Sequence, residues 1–206
     1  MAVKYWLTLG LTCVLGACSS LPVPTPLPGT AEALWQQRQP QLTDLRHWAV
    51  NGRLAIFTRQ TGWHARIRWI QRDDGYLIQL DGPLGQGAAE LHGSAAAVVL
   101  RTTEGEFSAA SAEALLAQHL GWQLPVSGLH YWVRGLPDPG AAAERLTLDD
   151  AGRITRLQQS GWDIEFKHYT AAPLALPDRI FLTTSGITPD TRLDIRLVVE
   201  QWDAPH

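Results

Sequence analysis

The chain of 206 residues has only two cysteines, Cys13 and Cys18, and only two lysines, Lys4 and Lys167. Nothing beyond residue 18 can form a disulfide or act as a thiol nucleophile, so the body of the protein must be held by burial alone. Catalytic signatures are equally scarce. There is no Walker loop, no Gly-rich dinucleotide fingerprint and no Gly-x-Ser-x-Gly elbow. The seven histidines stand singly at 47, 64, 92, 119, 130, 168 and 206, with no His-x-x-x-His pair to hold a metal. The Asp73-Asp74 and Asp149-Asp150 pairs sit where hairpin turns are expected, and aspartate there bonds its own backbone. No metal, ATP or other cofactor is expected, and no enzyme activity. The formal net charge of -3 and the absence of a basic stripe argue against nucleic acid as a partner. Long apolar runs are missing too: the longest, Tyr5 to Gly16, is about a dozen residues, short of the ~20 that cross a bilayer.

That run has the length of a secretory h-region behind the positive start Met1 to Lys4. It ends in Leu15-Gly16-Ala17-Cys18, which resembles the lipobox of bacterial lipoproteins. The resemblance implies cleavage before Cys18 and acylation of that residue, and Ser19 in place of aspartate implies export to the outer membrane. Residues 1–17 are thus read as signal peptide and 18–29 as a lipidated tether, whose prolines favour an extended, semi-rigid chain. Residues 30–206 form a single domain, long enough for a real core.

What the chain has in abundance is tryptophan, 9 residues of which all but Trp6 fall in this domain, and period-two alternation. Thr30 can cap a first helix carrying Leu34, Trp35, Leu42 and Leu45, which Pro40 is expected to kink or split. From Trp48 onward apolar and polar residues alternate, most cleanly at Trp63, Ala65, Ile67 and Trp69 against His64, Arg66 and Arg68. The pattern predicts five meandering antiparallel strands up to Arg101. A helix follows near Ala112–His119, capped by Ser108 or Ser111 and stopped by Gly121, then a short one over Ser127–Arg134. Strands resume from Leu146 to Val199. The helices cluster and do not alternate with strands, so the class is mainly β (α+β), with about ten or eleven strands.

One turn is anomalous. In Gly82-Pro83-Leu84-Gly85 a large apolar side chain stands where turn residues belong. That segment, the block "GWQLPVSGLHYWVRGLPDPG" at 121–140 and "SGWDIEFKHY" at 160–169, in this order behind a lipobox and a Pro-rich tether, resemble the LolB family of outer-membrane lipoproteins. The likeness runs from Trp48 to Trp202; Pro40 in the first helix departs from it.

The resemblance implies an incomplete antiparallel β-barrel with helices as a lid over a hydrophobic cavity. It also implies a function: accepting acylated lipoproteins from the periplasmic carrier LolA and inserting them into the outer membrane without an energy source. Partners would be a LolA-like carrier, the acyl chains of the cargo and, through Cys18, outer-membrane lipid; the protein would be a monomer facing the periplasm. By local motif, the protruding leucine assigned to membrane contact is Leu84. Candidate cavity and lid residues are Leu54, Ile56, Trp63, Ile67, Trp69, Ile78 and Leu80 from the first strands. The short helix adds Leu129, Trp132 and Val133, and the later strands add Trp162, Ile164, Phe166, Ile180, Leu182 and Ile195. Any one of these tryptophans also fits ordinary core, while the set favours a partly unfilled interior. A structural lipoprotein that scaffolds an envelope assembly is the competing reading, and a filled core would favour it.

Overall fold

A computed structural model describes residues 27, 29–83, 88–94, 96–171, 173–184 and 192–204. Cys18, Leu84 and Gly85 lie outside the described residues, as do the signal peptide and most of the tether.

The period-two segments form one antiparallel sheet. Strands β1 (His47–Phe57), β2 (Gly62–Arg72), β3 (Gly75–Asp81), β4 (Ala89–Gly93), β5 (Val98–Thr102) and β6 (Gly105–Ala109) precede helices α2 (Ala112–Leu120) and α3 (Val126–Trp132). Strands β7 (Ala143–Leu148), β8 (Ile154–Gln159), β9 (Trp162–Tyr169), β10 (Pro177–Thr184) and β11 (Asp194–Asp203) follow. The spatial order is β6-β5-β4-β3-β2-β1-β11-β10-β9-β8-β7, so β1 pairs with β11 and joins the two halves at the centre. The sheet is open, with β6 and β7 as its edges. An exposed edge invites pairing with another chain. Here α2 packs on β5 and β6, and helix α1 (Ala31–Thr43) lies against β7.

The alternation decides which face is covered. Trp48, Val50, Leu54 and Ile56 of β1 are buried, with Arg53 exposed between them. Ala65, Ile67, Trp69 and Gln71 of β2 are buried, with Arg66 and Arg68 exposed. The inward residues of both halves belong to one continuous hydrophobic core. At Asn51/Gly52 the β1–β11 register slips, and a Cβ on Gly52 would fall 2.1 Å from the Val198 carbonyl oxygen. Only glycine fits that approach.

Two expectations change. Helix α1 runs unbroken through Pro40. Proline costs a helix the hydrogen bond to the carbonyl four residues back, here that of Gln36. Both residues are exposed, so water can take that bond, and Asp44 closes the last turn on the Pro40 carbonyl. The expected helix over Ser127–Arg134 is α3, Val126–Trp132, ending in a turn through Gly135 at φ 79°. Strand β6 was not anticipated, because Phe107 is its only large apolar residue.

Candidate functional site

The concave face of β1–β5 and helices α2 and α3 enclose an apolar cavity. Leu54, Ile67, Trp69, Ile78, Leu80 and Leu129 line it, all of them candidates from the sequence. Ala89, Leu91, Leu100, Leu116, Leu124, Val126 and Leu197 complete the lining. Its volume is about 40 Å³, little more than one water's share of the liquid. Pockets that hold ligands run to roughly 300–1,000 Å³. The interior expected to be partly unfilled is therefore a narrow apolar seam, too small as it stands to hold an acyl chain.

How the helices are held bears on how that seam could widen. At the C-terminal side of α3 the fastening is polar and dense. The Trp132 indole donates to Gln159 Oε1 at 2.9 Å, which also accepts from the Asp138 backbone at 2.9 Å. Gln159 is fully buried, and its amide donates in turn to the carbonyls of Asp138 and Ala141 at 2.8 and 2.7 Å. Arg134, also buried, donates to the Leu42 and Leu45 carbonyls at 3.0 and 3.1 Å. There it satisfies and complements the negative end of α1. His130 sits between Arg134 Nη2, 3.1 Å from its Nε2, and Gln71 Oε1, 3.2 Å from its Nδ1. Burial, aided by the Arg134 charge, pushes the His130 pKa down to about 4, so the ring is neutral and accepts from Arg134.

Helix α2 is held differently. Ser111 caps it through the Ala114 amide, and Gly121 at φ 70° ends it. Glu113 accepts from the backbone and hydroxyl of Ser127, each at 2.8 Å, which joins α2 to α3. Among the described residues no hydrogen bond or ion pair joins α2 to the sheet. Its buried Ala112, Leu115 and Leu116 make apolar contact only. Two ring contacts seal its far end: His119 stacks on Phe107 of β6 at 3.7 Å, and Trp122 meets Trp63 of β2 at 4.3 Å. Trp63 is thus a rim residue, at the end of β2 nearest the β3–β4 connection.

The remaining candidates share the core but not the cavity lining. Ile56 and Ile195 lie on the central strands, and Trp162, Ile164, Phe166, Ile180 and Leu182 lie on β9 and β10. Trp132 and Val133 are fully buried on the fastened side of α3. Leu116 and Leu124, which line the cavity, and Trp122 at its rim are not among the candidates from the sequence. Leu116 carries the helical spacing of α2, and the other two stand inside the 121–140 block. The buried amides Gln71 and Gln159 were also missed; Gln71 occupies the inward slot that follows Trp69 in β2.

The open antiparallel sheet with its helices is similar in fold to two solved structures. A LolA superfamily protein of Nitrosomonas europaea superposes with a TM-score of 0.58 at 8% identity, over 86% of this chain and 94% of its own. A DUF1329 family protein of Desulfovibrio piger gives 0.55 at 8% identity, over 84% and 91%. At such identity the likeness is one of fold alone. The family follows from sequence. The profile described as outer membrane lipoprotein LolB matches residues 46–202. The outer-membrane lipoprotein LolB of Nitrosococcus oceani is 41% identical over 191 residues, 92% of each chain. That of Pseudomonas paraeruginosa is 39% identical over 205 residues, 98% of this chain and 97% of its own. The chain belongs to the LolB family of outer-membrane lipoproteins.

Proposed function

We propose that the protein receives acylated lipoproteins from a LolA-like periplasmic carrier and releases them into the outer membrane, holding their acyl chains between the concave sheet and α2–α3. The observation that carries this reading is α2. It covers the apolar seam, and no polar bond among the described residues ties it to the sheet. An apolar contact can be replaced by an acyl chain with little loss, because one hydrocarbon surface substitutes for another. The dense bonds at Gln159 and Arg134 give the moving part a fixed side.

The demand for such a device is physical. Three acyl chains carry on the order of 40 methylenes at ~0.8 kcal/mol each, so wetting them costs tens of kcal/mol. Cargo must pass from one apolar enclosure to the next, downhill from carrier to receptor to bilayer. The small resting cavity agrees with a receptor that opens only for cargo, although a scaffolding lipoprotein would share a filled core.

Leu84 is proposed to contact the bilayer. It stands between β3 and β4, and Cys18 supplies the anchor. Burying one leucine contributes ~2 kcal/mol, enough to orient the domain but not to hold it at the membrane. The test is transfer of a lipoprotein from its purified carrier to this protein, then to liposomes. Wild type should do both. Leu84→Glu should accept cargo normally and insert it poorly; equal insertion by the variant removes the role of Leu84. Failure of the wild type to take cargo from the carrier would favour the scaffold.

A further inference from the structure

The convex face of the sheet carries a second groove, which shares only Leu54 with the apolar seam. Its volume is about 690 Å³, and it lies over β1, β2 and β11 beside Gly82 and Pro83, at the start of the β3–β4 connection. Three guanidinium groups line it, those of Arg53, Arg66 and Arg196, together with His64. They come from three strands, which is why no basic run announces them in the sequence. Ala55 forms the low floor, set in register between Arg196 of β11 and His64 of β2.

The charge arrangement is unfavourable for a face that meets only water. Arg53 and Arg66 are direct cross-strand partners, and like charges so placed repel. Arg53 is held by Glu200 at 2.7 Å. Arg66 has no ion pair among the described residues, although Asp81, the carboxylate that lines the groove, is its Cα partner on β3. Arg196 likewise has no carboxylate partner there and lies over the rings of Phe57 and Phe181 at 5.0 and 5.5 Å. Cations left without counter-charge in a concave site raise the local concentration of anions.

We infer that this groove binds the headgroups of anionic phospholipids, and so sets the convex face against the bilayer when the β3–β4 connection meets it. The inference rests on the proposed membrane role of that connection. A lipid surface is the occupant argued for because the groove shares the end of the sheet where Gly82 and Pro83 lead into Leu84, in a protein of the outer membrane.

The probe is vesicles of phosphatidylcholine with and without phosphatidylglycerol, sedimented with the mature chain carrying Cys18→Ala, so that no acyl anchor masks weak binding. The wild-type chain should bind the phosphatidylglycerol vesicles, and more weakly as salt rises. Arg53→Gln, Arg66→Gln and Arg196→Gln should each weaken binding about fivefold, and together on the order of a hundredfold. Arg66→Gln breaks no ion pair among the described residues, so its melting temperature should match that of the wild type while its binding falls. Replacement of the three by lysine should keep most of the binding. Arg72→Gln, at the far end of β2, should leave it unchanged. Equal loss from Arg72→Gln, or no loss from the triple variant, overturns the inference. So does a triple variant that binds vesicles normally but no longer accepts cargo, which would make the groove a carrier dock. Cargo acceptance by the wild type is scored separately, so failure of the receptor reading and failure of this groove give different results.

Discussion

At the scale of the residue, the fold depends on a few buried polar groups that align α3 with the rest of the domain. Gln159 is the clearest. Its amide serves two donors and two acceptors at once, all on the far side of α3 or in the segment that follows it. Gln159→Ala leaves the Trp132 indole and the backbone of Asp138 and Ala141 unpaired. It should cost about 3 kcal/mol or more, measured by urea unfolding. His130 makes a second case. Its ordinary pKa of 6.5 applies in the unfolded chain, and burial first, then the Arg134 charge, depresses it to about 4 in the fold. A depressed pKa means that protons favour unfolding. Its contribution is complete above pH 6.5 and is lost as pH falls toward 4. The melting temperature should decline across that window, and His130→Gln should flatten the decline. An unchanged slope in the variant would assign the effect elsewhere.

At the scale of the element, most of the sheet was legible in the sequence, because alternation at Leu54, Ile56, Trp63, Ile67 and Trp69 reports directly which face is covered. Three features were not. Strand β6 has a single large apolar residue, so its place comes from pairing with β5 and not from its own pattern. Helix α1 survives Pro40 because the lost bond faces solvent, which no periodicity reveals. The volume of the cavity was illegible for a different reason: the same side chains line a wide pocket or a narrow seam, depending on how closely the helices approach the sheet. The position of α2 carries its own prediction. Helix α2 lies over the seam without polar ties to the sheet, whereas β1 and β11 pair along most of their length at the centre. Hydrogen exchange should therefore be far faster over Ala112–Leu120 than over β1 and β11, through local opening. Protection of α2 equal to that of the central strands would argue for a fixed cap.

At the scale of the whole molecule, the two features proposed to face the membrane lie at one end of the sheet and the start of α1 lies at the other. The β1–β2 hairpin and the β3–β4 connection share the first end. The start of α1 packs on the turn between β7 and β8 at the second, where a Cβ on Gly152 would meet the Trp35 nitrogen at 2.6 Å. Residues 19–29 can reach at most roughly 36–40 Å, and β1 with its 11 residues is ~36 Å long. On the proposed anchoring at Cys18, a fully extended segment of residues 19–29 would just let the domain turn Trp63 and the Arg groove toward the bilayer.

The central claim is that α2 leaves the sheet to admit acyl chains. It is tested most directly by preventing that motion. In the mature chain with Cys18→Ala, cysteines at Phe107 and His119 would be the only thiols, placed where the two rings stack at 3.7 Å. A short cleavable crosslink between them ties α2 to β6. Uptake of a fluorescent fatty acid, read by quenching of tryptophan, should be abolished in the crosslinked protein and return when the link is cleaved. Uptake at the same rate and extent with the link intact would contradict the account.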